Sequence, residues 1–426
     1  MSQPRGACAV VAVAWALVAA IEAGPALAAA SPPAPPQLGA TAWLLIDADD
    51  DETLASQAPS RPLAIASATK LMTAYLALEE LPLGRDLAAP AYQALPAESI
   101  LGLREGERVT VRDLLYSLIL ASANDGAVTI AEGVSGSVSG FVDEMNDTAG
   151  ALGLGDTSYT NPIGLDAPGN RSSARDLATL ADELMENRLF REIADSTEAT
   201  IATDQRTIEI PTRNTLLLGD PTVTGIKTGH TLEAGYVLVG SATRDDVDLI
   251  SVVLGAPSEA ARDAETSRLL DYGFSLYERQ TPVREGEAIA TPELADQGES
   301  LDLVAKDQVR IAVRRDQRIE TEVDAPEEVT GPIDRGARLG NVVVTVDGHR
   351  AGSVALVAAR AAEAATFTEK VRSGIAAPLA VGALVVVVIL IGIWLLRRRS
   401  GRTARSEEER MRTHEDRLRR RGGEPE

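Results

Sequence analysis

The sequence predicts an α+β chain: a first domain with a mostly antiparallel sheet and helices packed on it, a small all-β domain, and one C-terminal transmembrane helix. Three observations predict it. Residues 40–280 read as strands, then many helices, then strands again. Residues 282–365 change to short period-two runs. Ile375–Leu396 is 22 residues without a charge, closed by Arg397-Arg398-Arg399.

The elements follow in order. Met1 to Ala28 has Arg5, the apolar run Ala7–Ala20 and a small-x-small end at Ala26-Leu27-Ala28, the pattern of a secretory signal. Residues 29–39 form a proline-rich linker, with Ser31-Pro32-Pro33-Ala34-Pro35-Pro36 extended. Thr41–Asp47, the acidic turn Asp49–Glu52 and Thr53–Ser56 read as an opening hairpin. In Ser67–Glu80, the residues Leu71, Ala74, Tyr75 and Leu78 fall on one helical face. Further helices are predicted at Val111–Ile119, Asp125–Glu132, Gly140–Leu152 and Ser173–Asn187, the last with Ser172 as its cap. Gly235–Thr243 and Val247–Gly255 read as strands, and Ser258–Tyr277 as a closing helix. In the second domain, Val309–Val313, Asn341–Val346 and His349–Val357 read as strands, with Asp347-Gly348 as a hairpin turn. The span 375–396 would reach roughly 33 Å at ~1.5 Å per residue, enough for a bilayer core of about 30 Å. The arginines after it predict a cytoplasmic tail, 397–426, with residues 29–374 outside.

Charge and cysteine exclude several function classes. The net charge is −22; the tail has 11 arginines against seven acidic residues, and its +4 leaves −26 on the rest. A polyanion would be repelled, so no nucleic-acid partner is expected. The sole cysteine, Cys8, lies in the signal, which leaves the mature chain no disulfide, thiol nucleophile or thiolate metal site. No cofactor or metal is expected.

Four lysines stand among 41 basic residues, and within 1–280 they are Lys70 and Lys227 alone. Arginine stays protonated in proteins, whereas a buried lysine beside another cation can lose its proton and act as a base. In Ser67-Ala68-Thr69-Lys70 the lysine lies one turn after the serine, within reach of a hydroxyl that needs a base to become a nucleophile. Alone the pattern is weak, since about one match arises by composition in a chain of this size. Ser122-Ala123-Asn124 places a hydroxyl and a carboxamide at a helix junction, where they could relay a proton and grip an amide; the same residues also suit a plain helix cap. Lys227-Thr228-Gly229-His230 sits on a strand pattern. There a glycine would let a ligand lie against the backbone as an added strand, with Lys227 and Thr228 on a carboxylate.

Together and in this order, the three motifs resemble the penicillin-binding proteins and class A β-lactamases. The chain is most similar to their D-alanyl-D-alanine carboxypeptidase branch, the low-molecular-mass penicillin-binding proteins, over about residues 40–365. Also similar are Pro62–Tyr75, Gly164–Gly169 with Ser172–Asp176, Arg213–Leu217, and in the second domain Pro332-Ile333, Gly336 and Val344–Gly348. The resemblance implies a β-lactamase/transpeptidase-like domain and an acyl-enzyme. In it, Ser67 attacks the bond between the two terminal D-alanines of a peptidoglycan stem pentapeptide. Lys70 takes its proton, Ser122 passes one to the leaving nitrogen, and Asn124 holds the peptide amide. Lys227, Thr228 and Arg213 recognise the terminal carboxylate, with Gly229 against the substrate. The backbone N–H groups of Ser67 and His230 form the oxyanion hole, donors worth about 3–4 kcal/mol each in comparable hydrolases. β-Lactams are then covalent inhibitors. The family ends typically in an amphipathic membrane-surface helix, and here a true span replaces it.

Other classes fit less well. A Ser-His-Asp hydrolase needs a catalytic histidine, and the first domain has only His230. No ligand cluster suits a metalloenzyme. Asn161–Arg175 holds no glutamate to activate a deacylating water as class A β-lactamases do, so slow penicilloyl hydrolysis is expected. A D,D-endopeptidase acting on cross-links uses the same residues. A penicillin or muropeptide receptor is the rival from another class, and the short charged tail gives it no signalling domain.

Overall fold

The computed structural model describes residues 33–372 and 382–395. The signal 1–28, the first part of the linker, 29–32, and the tail 397–426 lie outside the described residues.

The chain opens with the expected hairpin, β1 (Ala42–Asp47) and β2 (Thr53–Gln57). A 3₁₀ turn over Ala66–Thr69 leads into α1 (Lys70–Glu80), so the helix begins three residues later than the sequence pattern suggests. A small ladder of β3 (Asp86–Ala88) and β4 (Arg108–Thr110) brackets a long loop. Then α2 (Val111–Tyr116) widens into a π-turn over Ser117–Ala121, where a plain helix was expected to 119. α3 (Asn124–Ser135) and α4 (Val138–Ala151) come next, followed by α5 (Ala174–Glu186). Ser173, not Ser172, caps α5 by accepting the Asp176 N–H at 3.1 Å. Ser172 is held in a bridge to Leu63 and shares a hydrogen bond with Thr157, so it cannot cap. α6 (Arg188–Ala194), the hairpin of β5 (Glu198–Ala202) and β6 (Thr207–Pro211), and α7 (Thr215–Gly219) carry no strong periodicity. Finally come β7 (Val223–Thr231), β8 (Gly235–Arg244), β9 (Val247–Ala256) and α8 (Glu259–Ser275), which Ser258 caps.

Five strands form one antiparallel sheet in the order β2-β1-β9-β8-β7. Period-two alternation divides β1 between two cores. Ala42, Leu44 and Ile46 enter the core shared with α1 to α6, whereas Trp43 and Leu45 enter the core under α8. A fully buried leucine such as Leu44 or Leu45 contributes about 1.5–3 kcal/mol. β7 is an edge strand, and that open edge borders the site.

Residues 277–358 form the β-rich second domain with its own core, around Leu303, Val342, Val344 and Leu356. It is fastened to the first by a buried charge. Arg314 reaches Asp47 at 3.0 Å and also pairs with Asp50 and Glu52 of the acidic turn, and Tyr277 donates to Asp47. The acidic turn of the sequence is thus a socket for one arginine.

Of the expected span 375–396, residues 382–395 are described and helical. Among the described residues no helix is long and apolar enough to cross a membrane, so the expected transmembrane helix is not supported there. The rest of that segment lies outside the described residues.

Candidate active site

Three segments distant in sequence meet beside β7. Ser67 lies in the 3₁₀ turn, whose first residue Ala66 has φ +47°. That turn packs against Gly164, at φ +84°, where any Cβ would collide with the Ala66 carbonyl. Ser67 stays half-buried and reachable, while Lys70, in the first turn of α1, is fully buried.

Lys70 Nζ lies 3.2 Å from Ser67 Oγ, 2.7 Å from Asn124 Oδ1 and 2.5 Å from the Ile163 carbonyl oxygen. Two of these partners can only accept, so they hold two N–H groups. The third position of the nitrogen then faces a hydroxyl, which can donate. A neutral Lys70 has its lone pair aimed at the Ser67 proton, the geometry a general base requires. Burial pushes the lysine down to about 7, with the Arg213 charge adding to that fall and the Glu98 and Asp125 charges opposing it. The Ile163 carbonyl is presented by a turn in which Asn161 accepts the N–H groups of Ile163 and Gly164.

Ser122 ends the π-turn in a left-handed conformation, φ 59° and ψ 35°, and is buried. The π-turn packs on both α1 and β7, which sets Ser122 and Asn124 between the serine segment and the lysine strand. The motif is therefore more than a cap: Asn124 bonds Lys70 across 54 residues, and neither Ala123 nor Asn124 makes a side-chain cap bond to α3.

On β7 the side chains alternate, with Lys227 and Gly229 buried and Thr228 half-buried. Lys227 Nζ donates to the Thr228 carbonyl at 2.8 Å. Burial drives its pKa well below the usual lysine value, and the charges of Lys70, Arg213 and Arg262 add to it. Arg213 is on the rim, exposed, and donates to the Ala121 carbonyl at 2.9 Å. The His230 ring is exposed and stacks on Tyr236 at 4.1 Å, so only its backbone belongs to the site.

Glu98 and Tyr92 carry no signal in the sequence. Glu98 accepts from Asn124 Nδ2 at 2.8 Å and from the Tyr92 hydroxyl. It sits on a loop without periodicity, 26 residues from its partner, and nothing local marks it.

The chain is similar to known proteins over both of its domains. A family model described as D-alanyl-D-alanine carboxypeptidase matches residues 28–258, and one described as the C-terminal domain of penicillin-binding protein 5 matches 277–364. The chain is 34% identical over 330 residues to D-alanyl-D-alanine carboxypeptidase DacC of Escherichia coli, covering 74% of this chain and 82% of that one. It is 32% identical over 317 residues to DacF of Bacillus subtilis, covering 72% and 81%. Among solved structures it is similar to penicillin binding protein 5 from Haemophilus influenzae, with 30% identity, TM-score 0.55, and coverage of 78% of this chain and 99% of that one. The Streptomyces K15 DD-transpeptidase aligns at 31% identity and TM-score 0.55, over 57% of this chain and all of that one.

Proposed function

The chain belongs to the D-alanyl-D-alanine carboxypeptidase family, and from that premise we propose how its own residues remove the terminal D-alanine of a peptidoglycan stem pentapeptide. Ser67 Oγ attacks the carbonyl carbon between the last two D-alanines, and its proton passes to Lys70 Nζ. Ser122 delivers a proton to the leaving nitrogen, D-alanine departs, and water cleaves the ester left on Ser67. Asn124 spends one amide N–H on Glu98 and has the other for the peptide carbonyl. Lys227, Thr228 and Arg213 take the terminal carboxylate, with the peptide added along the open edge of β7 beside Gly229. The N–H groups of Ser67 and His230 receive the oxyanion. β-Lactams acylate the same serine. The observation that carries this mechanism is the buried lysine held by two carbonyl acceptors with its remaining position on Ser67.

Residues 40–280 are the catalytic unit and 282–365 a spacer or docking domain. After removal of 1–28, the segment 375–396 anchors the protein with 397–426 in the cytoplasm. Its 22 uncharged residues and the three arginines after it support that anchoring.

The test is D-alanine release from a synthetic stem pentapeptide by the full chain, beside Ser67→Ala. Release that is lost in the variant is expected. Release that persists in it would remove Ser67 from the mechanism.

A further inference from the structure

Asn124 has two faces, and the mechanism above needs each of them turned to its own partner. Its Oδ1 lies on Lys70 and its Nδ2 on Glu98 Oε2. The two orientations of an asparagine amide have the same shape, so its hydrogen-bonding neighbours decide which it takes. A carboxylate can only accept, so Glu98 forces Nδ2 to its own side and Oδ1 to the lysine. Tyr92 and the Leu95 N–H donate to the two Glu98 oxygens, which fixes the carboxylate in turn.

The loop bearing Glu98 is itself clasped to α3. Asp125, buried beside Asn124, accepts the N–H groups of Leu101, Gly102 and Leu103 at 2.8–2.9 Å, and the Asn124 N–H donates to the Ser99 carbonyl. One dipeptide, Asn124-Asp125, therefore holds both the lysine and the loop that orients its own amide. This is more structure than a helix start requires.

We propose that Glu98, braced by Tyr92, is a positioning residue for this reaction: it fixes the orientation of the Asn124 amide and so keeps Lys70 aimed at Ser67. The proposal rests on Ser67 and Lys70 acting as nucleophile and base. Glu98 also faces Lys70 as a negative charge, together with Asp125 from α3, against the positive Arg213 on the rim and Lys227 on β7. Its loss therefore has two separable effects, one on orientation and one on charge.

The experiment is kcat/KM for D-alanine release across pH 5–9, and the rate of Ser67 acylation by labelled penicillin, for the full chain, Glu98→Ala, Glu98→Gln and Tyr92→Phe. Glu98→Ala is expected to lose about 10- to 100-fold at the optimum, the usual effect of removing an outer orienting partner. Glu98→Gln retains an acceptor for Asn124 but not the charge. It is expected to recover most of the rate, with its acid limb displaced to lower pH by about half a unit to one unit. Tyr92→Phe is expected to lose severalfold without moving the limb downward as far. Full activity in Glu98→Ala, or equal losses in Glu98→Ala and Glu98→Gln with an unmoved limb, would overturn the proposal. A wild type that neither releases D-alanine nor takes up penicillin would overturn the parent mechanism as well.

Discussion

A Cβ placed on Gly229 would stand 3.0 Å from the backbone nitrogen of Ser67, tighter than ordinary packing allows. The glycine of the Lys-Thr-Gly motif thus lets β7 close on the backbone N–H of Ser67. Gly229→Ala should push the two segments apart by a few tenths of an ångström. Near reacting atoms, errors of about 1 Å lower rates by about 100-fold, so a loss of about 10-fold in acylation is expected while thermal unfolding changes little. Penicillin labelling beside a melting curve separates the two.

The pH profile should report Lys70. The lysine works as a base only when neutral, and burial brings its pKa to about 7. Activity is therefore expected to be low below that pH and to rise through it. Lys70→Arg, which cannot lose its proton, should be inactive at every accessible pH. Stability follows the same group with a defined sign. Between about 7 and the ordinary value of 10.5 the unfolded chain binds more protons at this site, so folding becomes more favourable as pH rises. Lys70→Met should flatten that part of the melting-temperature profile.

Arg213 acts on both lysines through its charge, lowering each. Arg213→Ala should therefore move the acid limb to higher pH, the direction opposite to Glu98→Gln, and should raise KM through loss of a carboxylate contact. A raised KM with an unmoved limb would show that solvent screens this exposed arginine from Lys70.

His230→Ala should leave kcat within a few-fold of wild type, because the ring is exposed on Tyr236 and only the backbone reaches the site. A loss beyond about 1000-fold would instead indicate a histidine-based hydrolase.

The joint between the domains should be fragile at one residue. Arg314 and Asp47 are both buried, and removing one partner strands the other charge. Arg314→Ala is expected to destabilise by about 3–5 kcal/mol. Differential scanning calorimetry should show a lower midpoint, and an unchanged one would assign the joint to apolar contacts instead.

The helices and strands that the sequence marks are those with one apolar face or a run of apolar residues between turn signals: α1, α4, α5, β8 and β9 all fall within a few residues of their expected bounds. The pieces it misses, such as α6 and the β5–β6 hairpin, are short and take their order from the core they cover. The π-turn before Ser122 is invisible in the pattern because a single extra residue in a turn leaves the apolar spacing almost unchanged. The acidic turn Asp49–Glu52 reads as a solvated hairpin tip, and only the fold reveals Arg314 above it, more than 260 residues away.

By itself the sequence determined the chemistry. Two lysines in a chain otherwise built with arginine, a serine one turn before the first, and a Ser-x-Asn and Lys-Thr-Gly in order name the groups and the family, because reactive side chains cannot be exchanged for others of similar bulk. The tertiary structure decided which of those groups touch. It set the depth of burial that brings Lys70 toward neutrality, the two carbonyl acceptors that aim it, and the Glu98 carboxylate behind Asn124. These depend on contacts between residues tens to hundreds of positions apart. Burial and long-range hydrogen bonding leave no local period in the chain, so they become legible only once it has folded.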